Sequence, residues 1–218
     1  MLYPFLKTFD SLKKANLVSL MVACAVLAVV VVLGAVGTIT WMTGSLINIK
    51  IGWLDTLVHW TIGALTGIGG WFMLPALTVL ISGIFQETAI QRVEHIYYPN
   101  NARSGTIKFW PDFWHDIQFT LLALCLNILI LPLYLFGIGF VVSIFLNTYL
   151  LGREFFESAA GYHVGKARAK ELGRQNRKVV YGGGFAITLT TLIPLLNLFV
   201  PILAIVWMVH AYHKECEL

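Results

Sequence analysis

Residues 17–41 read LVSLMVACAVLAVVVVLGAVGTITW, a stretch with no charged side chain. As a helix rising 1.5 Å per residue it is about 37 Å long. About 20 apolar residues already cross the roughly 30 Å hydrocarbon core of a bilayer. The stretch sits inside a charge-free run, residues 15–49, and three more runs follow at 56–86, 117–152 and 179–213. The whole chain of 218 residues is 58% hydrophobic and 12% charged, about half the charge of a soluble domain, with a mean hydropathy of +0.77. This excludes a soluble globular enzyme, a disordered chain and a chain that wraps nucleic acid. The sequence reads as an all-α integral membrane protein, with residues 1–218 forming a single membrane domain.

Working outward, Lys7, Lys13 and Lys14 precede the first run, which is longer than the 7–15 apolar residues of a secretory signal and reads as an uncleaved membrane helix. A second span is expected over Thr56–Gln86. It should continue beyond the membrane, because Phe85, Ala89, Val93 and Ile96 keep a helical period while Glu87, Gln91, Arg92, Glu94 and His95 fill the other face. Pro99 and Asn100 end it. The last two runs carry proline near their middles: Pro132 with Gly137 and Gly139, and Pro194 with Asn197 and Pro201. Proline removes a backbone donor and crowds the preceding turn, so each run is expected to break there into halves of about 15–20 residues, short for full crossings. Two helical hairpins that penetrate the bilayer only in part fit better. Ile130-Leu131-Pro132-Leu133 matches Leu192-Ile193-Pro194-Leu195, which a duplication or chance would explain equally well.

Charge sets the expected topology. Two spans return the chain to its starting side and hairpins leave it there, so 14 of the 15 Lys and Arg residues share one face and only Lys50 lies opposite. By the positive-inside rule both termini are cytoplasmic. The net charge of +4 therefore belongs to membrane topology, with no nucleic-acid partner implied. Three cysteines, Cys24, Cys125 and Cys216, offer no paired spacing for a disulfide or zinc framework.

The stretch Thr190-Thr191-Leu192-Ile193-Pro194-Leu195-Leu196-Asn197-Leu198-Phe199, then Pro201, closely resembles the corresponding part of the CysZ sulfate permease family, which shares its domain with a eukaryotic etoposide-induced endoplasmic-reticulum protein. The order of a basic N-terminal segment, two long helices, a polar extension, a Pro-Gly hairpin and a basic linker is similar over roughly residues 5–213. The resemblance implies an oligomeric protein of the bacterial inner membrane that moves sulfate for cysteine synthesis. It also implies an anion site just before the first long helix, where the family carries Gly-hydrophobe-Arg. Here that position reads Ser11-Leu12-Lys13-Lys14. The positive charge is kept as lysine, a compact point charge, while the two-pronged guanidinium is not.

Two roles stand open for the lysines: anchoring an N-terminal amphipathic helix, whose Leu2, Phe5, Leu6, Phe9 and Leu12 share a face, at lipid headgroups, or contacting an anion. The hairpin residues Pro132, Gly137, Gly139, Pro194, Asn197 and Pro201 could simply turn the chain. They could also expose helix N-termini that hold anions at depth, with Asn197 capping the second half-helix. Gly63-x-x-x-Gly67, with Gly70, matches the close-packing pattern of membrane helices, and Gly182-Gly183-Gly184 suits tight packing rather than a phosphate loop. His210 and His213 share a helix face without an evident third ligand, so no metal, no cofactor and no catalytic set is expected. The functional expectation is a sulfate-type anion permease working as a homo-oligomer in the lipid bilayer. The alternative is a structural or lipid-associated membrane protein of the same family that transports nothing.

Overall fold

The computed structural model describes residues 2–46, 51–100 and 109–215, and every regular element in them is helical. A short α1 (Leu2–Lys14) turns into the long α2 (Leu17–Leu46) at Asn16, whose φ of 49° is a left-handed conformation that asparagine adopts readily. The return helix α3 (Gly52–Tyr97) is a single element of 46 residues. It carries the polar extension to Tyr97 and stops before Pro99, as the helical period predicts. Lys50 and Cys216 lie outside the described residues.

The first hairpin consists of α4 (Phe109–Leu135) and α5 (Gly139–Val164). Its break corrects an expectation, because Pro132 lies inside α4 and the chain reverses over Phe136–Ile138. The amides of Phe136 and Gly137 donate to the Leu133 and Tyr134 carbonyls, and Gly137 takes φ +75°. Proline costs a helix one hydrogen bond and some crowding. Ending the helix would expose several backbone groups, which apolar surroundings punish more heavily. The reversal therefore waits for a residue free to adopt a positive φ. The arms are 27 and 26 residues, longer than the expected halves, because both helices run on into the charged segments.

The second hairpin follows the expectation more closely. After α6 (Lys166–Gln175), α7 (Arg177–Thr191) ends just before Pro194, which begins the single-turn α8 (Pro194–Asn197), and α9 (Val200–Glu215) returns. Pro201 falls in the first turn of α9, where a missing amide costs little. Asn197 closes α8, three residues before α9 starts, so it does not sit at the N-cap of α9.

The core gathers where the helix bases meet. Leu17, Leu20 and Met21 of α2, Ala89, Ile90 and Val93 of α3, Phe155 and Phe156 of α5, and Ile202, Ile205 and Val209 of α9 are buried together. The tightest crossing joins α5 to α7. A Cβ on Gly152 would strike the Val180 carbonyl and one on Gly184 the Thr148 carbonyl, so these glycines let two backbones touch. Gly63 and Gly67, by contrast, meet nothing within 4 Å, and the small-residue contact of α3 is Gly70 against Val32 and Val36.

Away from the base the surface is apolar. Leu33, Trp41, Leu46, Trp53, Trp60 and Leu65 are all more than 60% exposed. Leu17–Leu46 and Trp114–Leu135 are long and apolar enough to cross a membrane, and almost all of the latter stretch is left uncovered by the rest of the chain. Faces of that size need lipid or another protein rather than water.

Candidate functional site

Basic side chains meet at two places on the helix bases. The first is a cavity of about 230 Å³ between α5, α6 and α7. It is lined by Arg153 of α5, Lys170 and Arg174 of α6 and Arg177 at the start of α7, with Tyr149 and Tyr181 beside them. One carboxylate, Glu157, faces these four cations. It sits one helical turn after Arg153 and accepts from its Nε at 2.6 Å. Arg153 also donates to the Tyr149 hydroxyl at 3.3 Å and lies over the Phe119 ring at 5.0 Å, so its guanidinium is held on three sides. His115 Nε2 is 3.5 Å from the second Glu157 oxygen. Lys170 makes no hydrogen bond or ion pair among the described residues, and Arg174 reaches only to 3.9 Å from Glu171. The cavity thus holds more positive charge than its own carboxylate neutralises, with guanidinium groups suited to an oxyanion.

The second is an open groove of about 500 Å³ beside the α1–α2 turn, lined by Lys14, Asn16, Gln91, Arg92, His95 and Ile96. This is where the family resemblance locates an anion site. Of Ser11-Leu12-Lys13-Lys14, only Lys14 lines the groove. Lys13 is exposed, and Leu12 packs on the core. Ser11 is fully buried. Arg92, from one turn before the end of the α3 extension, donates to the Asn16 carbonyl at 3.0 Å. It brings back to this place a guanidinium that the local sequence lacks. Lys14 is paired with Asp10 at 2.7 Å. The hydrogen bond from Lys14, and then one from the Tyr97 hydroxyl, hold the Asp10 carboxyl below its ordinary pKa.

Of the hairpin residues, Pro132, Gly137, Gly139, Asn197 and Pro201 line neither basic site. Gly139 packs against Tyr134 across the reversal, and Pro201 is buried in α9. Near the second hairpin the structure opens instead an apolar groove of about 450 Å³, walled by Phe9 of α1, Leu189 of α7, Leu196 of α8, and Leu203 and Trp207 of α9.

Sequence reasoning missed a third cluster. Glu94, His163 and His213 lie in the last turns of α3, α5 and α9, and both imidazole Nε2 atoms meet the same carboxylate oxygen, at 2.6 and 2.9 Å. Burial pushes the Glu94 carboxyl up, but the hydrogen bonds from His163 and His213 outweigh it and leave the pKa below the ordinary value. The partners are 69 and 119 residues from Glu94. The only sequence signal is that each residue falls just before a helix end.

The described residues thus form an all-helical protein with two helices apolar enough to span a membrane and with basic sites of the kind that hold anions. The family described as sulfate transporter CysZ/etoposide-induced protein 2.4 matches residues 4–201, and the chain belongs to it. That family is one of transporter-type membrane proteins rather than enzymes. Neither the curated proteins nor the solved structures contain a match.

Proposed function

We propose that the chain is a sulfate-type anion permease of a bacterial inner membrane, working as a homo-oligomer with both termini in the cytoplasm. The observation that carries this reading is the cavity between α5, α6 and α7, where Arg153, Lys170, Arg174 and Arg177 face one carboxylate. A cavity with uncompensated guanidinium groups attracts a tetrahedral oxyanion, and its partial opening allows the ion to leave again, as conduction requires. The groove of Lys14 and Arg92 offers a second, more exposed stop. In this reading α1 lies at the membrane interface. Its Leu6 and Phe9 are exposed outward, while Thr8 and Ser11 turn to the protein.

A second reading, a lipid-associated protein that transports nothing, draws on the apolar groove beside Phe9 and Trp207, whose shape suits an acyl chain. Labelled-sulfate uptake into liposomes containing the purified protein separates the two. The permease reading expects uptake above empty liposomes and competition by selenate. It also expects a clear loss of uptake in Arg174→Ala/Arg177→Ala, exposed positions whose change leaves the core intact. Uptake of phosphate or chloride instead would keep a permease and replace the substrate. No flux of any anion would favour the lipid-associated reading.

A further inference from the structure

We propose that Glu94, His163 and His213 form a binding site for a divalent transition-metal ion of the zinc class. Two imidazoles and a carboxylate are a donor set that zinc accepts, usually with water in a fourth position. The three residues come from α3, α5 and α9, and their ligand atoms all lie within 4.8 Å of one another. Each histidine aims Nε2 at the same Glu94 oxygen.

An ion at about 2.0–2.2 Å from each donor sets neighbouring donors about 3.3 Å apart. The Glu94 separations of 2.6 and 2.9 Å would open slightly to reach this spacing, and the two imidazole nitrogens, within 4.8 Å of each other, would settle toward it. The metal would take the place of the Nε2 protons that bridge to the carboxylate, each neutral imidazole keeping its proton on Nδ1 as the other tautomer.

The surroundings favour a cation. All three residues lie in the last helical turn, where unsatisfied carbonyls give each helix end about half a negative charge. Three such ends and a buried carboxylate converge on one point. The imidazoles are held in place by ring contacts: Tyr98 stacks on His213 at 3.9 Å and Tyr212 on His163 at 5.5 Å. His213 is fully buried at its side chain, while His163 and Glu94 keep about a tenth of theirs exposed, which leaves an entry for an ion and its water. Two nitrogen donors select against magnesium and calcium, which prefer oxygen. The site stands whether or not the chain moves anions.

The test is a titration of the full-length, untagged protein in detergent, stripped with a chelator, using Co²⁺ as the probe. The expected result is visible d–d absorption that saturates at one ion per chain and is displaced by Zn²⁺. His163→Gln keeps an N–H directed at Glu94, and Glu94→Gln keeps an acceptor for both histidines, so each preserves the packing while removing a ligand. Each is expected to weaken Co²⁺ binding about tenfold or more, and His95→Ala, on the exposed face of the same helix, is expected to leave it unchanged. Absence of the absorption in the wild-type chain, or unchanged binding in both glutamine variants, would overturn the site and leave a hydrogen-bonded lock between three helices.

Discussion

Ser11 donates its hydroxyl proton to the Lys7 carbonyl at 2.7 Å, so the 2.7 Å contact with His210 Nε2 must be one in which the imidazole donates. The other ring nitrogen, Nδ1, is then an acceptor for the Tyr98 hydroxyl at 2.9 Å. One neutral histidine is thereby satisfied at both ends, by Ser11 of α1 and by Tyr98 just past the end of α3, and α1 is docked on α9 by it. The position at which the family carries glycine is filled here by a residue that α9 requires. Ser11→Ala would leave the buried His210 N–H without a partner, at a cost of about 1–3 kcal/mol. Ser11→Gly adds about 0.5–1 kcal/mol for a glycine inside a helix. Thermal unfolding in detergent is expected to show both variants less stable than wild type, with Ser11→Gly the lower. Equal midpoints would mean that the relay does not hold α1. A sulfate-binding gain sought by restoring the family's glycine would come with that loss.

Among the elements, the hairpins separate what sequence can announce from what it cannot. The four charge-free runs, the extension of α3 to Tyr97 and the break of the last run near Pro194 were legible, because length, helical period and the donor that proline lacks each act locally. The reversal at Phe136–Ile138 was not. Pro132 is the stronger breaker by propensity, but a helix in apolar surroundings gains more by keeping its backbone bonds than it loses at one proline. Gly137 decides the turn through its φ of +75°. Pro132→Ala is accordingly expected to change the unfolding midpoint little. Gly137→Val forces a β-branched residue into the left-handed region and should cost about 1–2 kcal/mol. Comparing the two variants by thermal unfolding tests this, and a larger loss for Pro132→Ala would return the break to the proline. The cavity and the Glu94 cluster were hidden for another reason. Arg153 and Arg177, or Glu94 and His213, become neighbours only through the crossing of distant helices, and the α5–α7 crossing depends on backbone contact at Gly152 and Gly184.

At the scale of the whole molecule, the two hairpins differ in reach. The candidate span of α4, Trp114–Leu135, is 22 residues long, about 33 Å, which matches a hydrocarbon core of about 30 Å. The arms of the second hairpin, 15 residues in α7 and 16 in α9, give about 23 Å and fall short. On α5 only residues 139–152 precede Arg153. That charge does not limit the depth of the first hairpin, because it faces the bundle, paired with Glu157 and 13% exposed at its side chain. A charge held by protein in this way can lie at hydrocarbon depth. The first hairpin should therefore carry its tip to the far surface, while the second ends within the bilayer. With the native cysteines replaced, a cysteine at Phe136, an exposed position in the reversal, is expected to react with an impermeant maleimide added from outside. One at Leu196 is expected to stay unlabelled. A cysteine at Ala167 serves as the cytoplasmic control, being exposed where its neighbour Ala169 is buried. Protection of Phe136 from outside, with Ala167 reactive after permeabilisation, would make both hairpins partial. Arg153 would then lie near the cytoplasmic interface, and the cavity it lines would be a vestibule rather than a station within the membrane.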